Sequence, residues 1–121
     1  MIELTLPMPV STNVYYRNVQ GRTIISKAGR LYAQNVWSHV MTYHNHETPL
    51  LGRLSLEITL VEPDRRRRDL DNFCGKSLLD AMQKAGVYQD DSQIDLIKIV
   101  RGGIEKPGSV KVRIEEINER V

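Results

Sequence analysis

Apolar residues alternate with polar ones in four segments of the chain, and each segment predicts a β-strand. The first covers Ile2–Leu6, and the clearest covers Leu54–Val61. Residues 94–100 and 110–117 alternate in the same way near the end of the sequence. Because glycines and prolines separate these last two segments, they are predicted to pair with each other as a hairpin.

Apolar residues recur at helical spacing in two other segments. The first predicts a helix over about residues 28–44, with Trp37 on its apolar stripe and therefore in the core. The second predicts a helix over about residues 73–85, and Gly86 is suited to end it because glycine readily adopts a left-handed conformation. Between the first strand and the first helix, residues 11–29 predict a long loop or a hairpin.

The resulting order is strand, loop or hairpin, helix, strand, helix, strand, strand. This order predicts an α+β fold in which two helices pack on one mixed sheet, within a single domain over residues 1–121. A chain of this size buries only about two thirds of its unfolded surface, so a subunit interface would add useful stability. We therefore expect a homodimer.

The charges are nearly balanced in number but unevenly placed. Lysine and arginine number 17 against 15 acidic residues, and the formal net charge of +2 does not by itself indicate a nucleic-acid partner. Residues 15–30, however, contain no acid and begin with two tyrosines, Tyr15 and Tyr16. The basic residues of this segment are Arg17, Arg22, Lys27 and Arg30. Basic and aromatic side chains together favour contacts with phosphates and bases, although packing of the tyrosines within a hairpin is an equal alternative.

Cysteine content and hydropathy bear on location. The single cysteine, Cys74, excludes a disulfide within the chain and is typical of a protein in a reducing cytoplasm. The sequence has no basic leader followed by an apolar run, and no window approaches 18 apolar residues. We expect a cytoplasmic protein with no membrane partner.

The segment between Pro63 and the second predicted helix carries the residues best suited to chemistry. Asp69 and Asp71 alternate, so an extended backbone would point both to one side, and Asp91 can join them from beyond the helix. Three carboxylates suit Mg²⁺, which prefers oxygen ligands and activates water for phosphodiester cleavage. Lys76 could stabilise the developing negative charge. Four arginines precede these acids and could hold backbone phosphates: Arg65, Arg66, Arg67 and Arg68.

Each of these residues also has a purely structural interpretation. Acids near a helix start are favoured by the helix dipole, and Asn72 is a suitable N-cap. An arginine run is usually a solvated loop, and Lys76 with Asp80 is by default a surface ion pair four residues apart. On the residues alone both interpretations stay open. His44 and His46 are two further possible metal ligands, but their pattern only weakly indicates zinc.

The same residues resemble the RusA family of Holliday junction resolvases. The resemblance rests on the run D-R-R-R-R-D-L-D-N at residues 64–72, on Lys76, and on D-D-S-Q at residues 90–93. The opening L-P-M-P at residues 6–9, followed by Tyr15 and Tyr16, is also similar to that of the family. The likeness therefore extends over nearly the whole chain.

The resemblance implies an intertwined homodimer that uses Mg²⁺, or Mn²⁺ in its place, to resolve four-way DNA junctions by paired symmetric nicks. It assigns metal binding and catalysis to Asp69, Asp71 and Asp91, and a further catalytic role to Lys76. The expected DNA contacts are Arg65, Arg66, Arg67, Arg68, Asn72, Arg17, Arg22, Lys27, Tyr15 and Tyr16. Two alternatives to this function are a DNA-binding module without activity and a metal phosphohydrolase that acts on nucleotides.

The chain departs from the family pattern at one point. The segment from Asn72 to Lys76 is one residue longer than in the family. A helix that begins late, at Gly75, would absorb the extra residue, whereas an earlier start would rotate Lys76 by about 100° around the helix axis.

Overall fold

The structure, a computed structural model, describes residues 1–44, 49–68, 70, 73 and 75–117. Within the described residues, its strands and longer helices follow the order that the apolar pattern predicts, and a short helix precedes the first hairpin. The strands are β1 (Ile2–Pro7), β2 (Tyr16–Val19), β3 (Arg22–Ile25), β4 (Arg53–Glu62), β5 (Ile94–Ile104) and β6 (Ser109–Ile117). The α-helices are α1 (Thr12–Tyr15), α2 (Lys27–Tyr43) and α3 (Gly75–Lys84).

Four strands form one mixed sheet in the order β1-β6-β4-β5. The pairs β1·β6 and β6·β4 are antiparallel, whereas β4 and β5 are parallel and are connected through α3. A parallel pair needs a long crossover connection, and a helix commonly supplies it. The predicted α+β class with a mixed sheet is confirmed.

The predicted hairpin between the last two strands is wrong. β4 lies between β5 and β6, and β6 pairs with β4 and β1 instead. The short connection from β5 to β6 passes over the end of β4, where the backbone N–H of Glu105 donates to the carbonyl of Glu62 at 2.8 Å. Gly108, with φ of +89°, lies so close to Pro63 that an added Cβ would be 3.0 Å from the proline ring. Alternation predicts that a segment is a strand, but it does not predict which strand lies beside it.

The core lies between one face of the sheet and the two long helices. Leu54, Leu56, Ile58 and Leu60 of β4 are all buried, and they pack with the buried stripes of α2 and α3. Full burial of one such side chain contributes about 1.5–3 kcal/mol, so β4 is the central element of the fold. The opposite face of the sheet carries polar side chains, among them Glu57, Thr59 and Lys111.

Trp37 is not in the core as its position on the apolar stripe of α2 predicts. Tyr32, Val36 and Val40 are buried, but the neighbouring row lies at the margin of the helix contact, and the Trp37 side chain is 52% exposed. The stripe is wider than the surface that the sheet and α3 cover.

Within the described ranges, no helix is long and apolar enough to cross a membrane.

The basic segment near the N-terminus contains the predicted hairpin. β2 and β3 pair in antiparallel fashion around Gln20 and Gly21, whose φ angles are +51° and +78°. Two consecutive positive φ angles are typical of the tight turns that join adjacent strands. We call residues 12–30 the arm, since they comprise α1, this hairpin and the first turn of α2.

Candidate active site

Lys76 and Asp91 lie next to each other. α3 begins at Gly75, the later of the two starts that the sequence allows, and Lys76 is therefore its second residue. The Lys76 Nζ lies 3.6 Å from Oδ2 of Asp91, which opens a single 3₁₀ turn, Asp91–Gln93. Two side chains that the sequence assigns to chemistry thus form an ion pair between α3 and the start of β5.

Asp91 is held in place by the loop that carries it. Asp90 caps the 3₁₀ turn, and its carboxylate accepts from the backbone N–H of Ser92 at 3.3 Å. The Asp91 backbone N–H donates to Oε1 of Gln83, the penultimate residue of α3, at 3.3 Å. The Ser92 hydroxyl also donates to Asp90, and these hydrogen bonds keep the pKa of Asp90 below its usual value. Asp91 is therefore fixed from both the loop and the helix.

Gln93 organises the same loop from the inside. Its side chain is buried, and its Oε1 accepts from the backbone N–H groups of Gln89 and Asp90 at 2.9 and 2.8 Å. Its Nε2 donates to the carbonyls of Leu50 and Gly52, both at 2.9 Å. One amide thus satisfies four backbone groups, which explains in physical terms why a glutamine suits this position of the D-D-S-Q motif.

Asp80 joins the site, although the sequence indicates no more than a surface pair. Its Oδ1 lies 3.2 Å from the Lys76 Nζ, closer than Asp91 does. Its Oδ2 accepts a 2.8 Å hydrogen bond from the hydroxyl of Tyr15. The i, i+4 spacing on α3 predicts the contact with Lys76, but no sequence signal predicts the contact with Tyr15, which is 65 residues away.

The charges of this cluster act on the groups inside it. The hydrogen bond to Asp80 and its negative charge raise the pKa of Lys76, and Asp91 adds to the effect. Lys76 is therefore an ammonium ion throughout the neutral range.

Burial raises the pKa of Tyr88, whose hydroxyl donates to the carbonyl of Leu79 at 2.7 Å, and the nearby acids add to the effect.

The two tyrosines of the arm have different surroundings. Tyr15 is only 2% exposed, so in this structure its ring packs inside the molecule and is not available to a base. Tyr16 is exposed and meets the Tyr15 ring edge to face, with 4.7 Å between the centroids. For Tyr15 the packing alternative is the one observed, whereas Tyr16 presents a surface. All four basic residues of the arm are exposed as well: Arg17, Arg22, Lys27 and Arg30.

The arginine run leaves β4 through a loop that Asp64 organises. Arg68 pairs with Asp64 at 2.8 Å, and Arg66 approaches the other oxygen of the same carboxylate at 3.5 Å. Hydrogen bonding from the Arg66 backbone and from Arg68 keeps the pKa of Asp64 below its usual value. Arg65 and Arg67 are exposed and enter no ion pair among the described residues.

Several predicted site residues lie outside the part of the chain that the structure describes. They are Asp69, Asp71, Asn72 and, from the weak zinc pattern, His46. Within the described ranges, no group of three or more potential metal ligands comes together. Of the predicted catalytic residues, the described part thus contains Lys76 and Asp91, and the structure adds Asp80 beside them.

Comparison with known proteins identifies relatives over almost the full length. The family model for endodeoxyribonuclease RusA matches residues 7–115. A crossover junction endodeoxyribonuclease RusA of Shigella sonnei is 39% identical over 114 residues, which cover 94% of this chain and 93% of the relative. Proteins of the same name from Escherichia coli K12 and Enterobacteria phage 82 are 38% and 39% identical, with the same coverage. The chain therefore belongs to the RusA endodeoxyribonuclease family.

Proposed function

We propose that this protein is a Mg²⁺-dependent endonuclease that resolves four-way DNA junctions by paired symmetric nicks. Its membership of the RusA family supports the reaction class, and its curated relatives are named for crossover junctions. The observation that carries the proposal for this chain is the Lys76 ammonium held between two carboxylates, at 3.2 Å from Asp80 and 3.6 Å from Asp91.

Asp69, Asp71 and Asp91 are the residues that would hold the metal ion. Carboxylate oxygens are the ligands that Mg²⁺ prefers, and Mn²⁺ accepts the same donors. Of the three, Asp91 lies in the described part, where its side chain is 34% exposed and so open to a ligand. When bound, the divalent ion supplies an activated water and neutralises charge on the phosphate.

Lys76 supplies a fixed positive charge beside that position. Its amine is protonated near neutral pH, as that of a lysine ordinarily is, and Asp80 raises its pKa further. Negative charge builds up on the phosphoryl oxygens and on the leaving oxygen as the phosphodiester bond breaks. A preorganised cation stabilises that charge more in the transition state than in the bound substrate, which is how it accelerates the reaction.

The basic side chains would bind the DNA backbone. The exposed arm residues Arg17, Arg22 and Lys27 and the exposed arginines Arg65 and Arg67 are suited to phosphate contacts. Arg66, Arg68, Asn72 and Tyr16 complete the proposed DNA surface. Contacts of this kind position a junction by its shape and backbone, and they make the affinity depend steeply on salt concentration.

Paired nicks imply two equivalent sites, and we propose a homodimer that acts in the cytoplasm. A two-fold axis relates the two sites of a dimer in the same way as it relates strands of a four-way junction. β5 is at one end of the sheet, and Leu96 and Ile97 on it are exposed next to Asp91 and Asp95. Exposed apolar side chains at a sheet edge favour association of two subunits. Light scattering coupled to size exclusion should give twice the mass of one chain.

The test is the cleavage of a synthetic four-way junction by an Asp71→Asn variant. This variant should bind the junction in EDTA with wild-type affinity and fail to nick it in Mg²⁺, whereas a Glu3→Gln control on the far face of the sheet should cut normally. If the variant cuts at the wild-type rate, the proposed site is wrong. A wild-type protein that binds junctions but never cuts them would be a binding module, and release of phosphate from free nucleotides would instead favour a phosphohydrolase.

A further inference from the structure

Asp80 is the centre of a chain of contacts that joins the arm to Lys76. One carboxylate oxygen, Oδ1, lies 3.2 Å from the Lys76 Nζ, and the other, Oδ2, accepts the Tyr15 hydroxyl at 2.8 Å. Both oxygens of this carboxylate therefore have a defined partner. Tyr15 belongs to α1 and directly precedes the hairpin, so that the contact brings together two distant parts of the sequence.

This arrangement differs from an ordinary ion pair on a helix surface. Exposed pairs four residues apart contribute only about 0.3–0.5 kcal/mol, because both side chains are mobile and solvated. Asp80 is only 21% exposed, and a buried tyrosine holds it in one orientation. Lys76 is 54% exposed and has four rotatable bonds, so its position depends on the partners that hold it.

Asp91 alone is a poor anchor for Lys76. It lies farther away, at 3.6 Å, and under the proposed function it also serves as a metal ligand. A carboxylate that shares its charge with a cation attracts a neighbouring ammonium less strongly. Asp80 is not a metal ligand in the proposed site, so its contact with Lys76 would persist during the reaction.

A backbone hydrogen bond and close packing hold Tyr15 in place at the base of the arm. Its carbonyl accepts from the backbone N–H of Ser26 at 2.8 Å, which closes the hairpin. Its ring packs against Gly29 so closely that a Cβ there would lie 2.8 Å from Cδ1 of the ring. A displacement of the arm would therefore move the Tyr15 hydroxyl relative to Asp80.

We propose that Asp80 is a positioning residue for Lys76 and that Tyr15 orients Asp80. The position of the arm, transmitted through Tyr15 and Asp80, therefore determines the position of the catalytic lysine. The role of Lys76 in cleavage rests on the function proposed above. The positioning of its side chain does not, and it can be measured in the metal-free protein without DNA.

The first experiment measures the mobility of the Lys76 ammonium by ¹⁵N relaxation NMR in metal-free protein. Asp80→Asn should increase the mobility of the Lys76 Nζ clearly, and Tyr15→Phe should increase it to a smaller extent. Glu3→Gln removes a carboxylate from an exposed ion pair with Arg113, and it should leave the Lys76 signal unchanged. Equal mobility of Lys76 in wild type and Asp80→Asn would overturn the proposal.

The second experiment measures single-turnover junction cleavage at saturating protein, which separates positioning from binding. Asp80→Asn should slow cleavage about tenfold, the lower end of the loss expected when an orienting partner is removed, with unchanged junction affinity in EDTA. In the Lys76→Ala background the same substitution should change the rate by less than about twofold, because groups that act through one another are not additive. An equal loss in both backgrounds would show that Asp80 does not act through Lys76.

Tyr15→Phe has a matched control in Tyr32→Phe. Each substitution removes one hydroxyl that donates a 2.8 Å hydrogen bond, from Tyr15 to Asp80 or from Tyr32 to the carbonyl of Pro7. Tyr15→Phe should slow cleavage about threefold and have no further effect in the Asp80→Asn background, whereas Tyr32→Phe should alter stability alone. Equal slowing by both would overturn the role of Tyr15. If wild type cuts no junction while Asp80→Asn still frees Lys76, the proposed function fails and the positioning inference stands.

Discussion

Replacement of Gln93 by leucine tests whether one buried amide holds the loop that carries Asp91. Leucine has a similar volume, so the substitution leaves little cavity, but it removes four hydrogen bonds to backbone groups. An apolar side chain also keeps water away from these groups. The substitution therefore isolates the polar contribution of Gln93 from its packing.

The expected loss follows from the number of bonds. A hydrogen bond contributes about 0.5–1.5 kcal/mol net, and a buried group left without a partner costs somewhat more. Because leucine recovers some apolar burial, we expect a loss of about 3 kcal/mol in the free energy of unfolding. A chain of 121 residues has an unfolding entropy near 0.25 kcal/mol/K, so the Tm should fall by about 12 °C.

Differential scanning calorimetry gives the stability, and single-turnover junction cleavage reports the position of Asp91. Cleavage should fall by at least about tenfold, because misplacement of a reactive group by about 1 Å can cost roughly 100-fold. Gln89→Leu is the matched control, because Gln89 is exposed in the same loop. This substitution should lower the free energy of unfolding by less than about 0.5 kcal/mol. A Tm of Gln93→Leu within about 2 °C of wild type would refute this account of the loop.

Three further predictions concern other parts of the molecule. In junction-binding titrations, Arg67→Gln should reduce the slope of log affinity against log salt concentration by about 0.9. Arg68→Gln should reduce the slope less, because Arg68 already pairs with the carboxylate of Asp64. Equal reductions by the two variants would contradict this prediction. Trp37→Ala should cost only about 1 kcal/mol in denaturant unfolding, against about 3–5 kcal/mol for a tryptophan in the core, and a loss in the latter range would place Trp37 inside after all. Since burial raises the pKa of Tyr88 above the 10.0 of the unfolded chain, the folded state holds this proton more tightly, and stability should fall as the pH rises above about 10. Tyr88→Phe should show a shallower fall in denaturant titrations between pH 9 and 11, and an unchanged slope would contradict the shift.

The fold could be predicted where one segment suffices to define an element. The alternation of Leu54–Val61 predicts β4, and the helical spacing of residues 28–44 predicts α2 to within one residue at each end. The neighbours of a strand depend on the whole chain, and for this reason the pairing of β6 with β4 was not predictable from β6 itself. The exposure of Trp37 was missed for a related reason, because the width of an apolar stripe does not tell how much of it another element covers.

The candidate site, too, could be predicted from the sequence only where a local pattern defines it. The motif around Lys76 and the D-D-S-Q segment predicts which side chains carry chemistry, and the structure brings Lys76 and Asp91 to 3.6 Å from each other. The role of Tyr15 depends on a contact across 65 residues, which no local pattern encodes. Spacing on α3 predicts that Asp80 reaches Lys76, but the partial burial of Asp80 becomes visible only in the folded chain.

The most direct test of the central claim compares junction and linear duplex as substrates for wild type and Asp91→Asn in the presence of Mg²⁺. Wild type should nick the four-way junction in a symmetric pair and leave the duplex intact, and EDTA should abolish cutting. Asp91→Asn should bind the junction in EDTA as wild type does and fail to cut it in Mg²⁺. Equal cutting of junction and duplex, or junction cleavage by Asp91→Asn at the wild-type rate, would contradict the account.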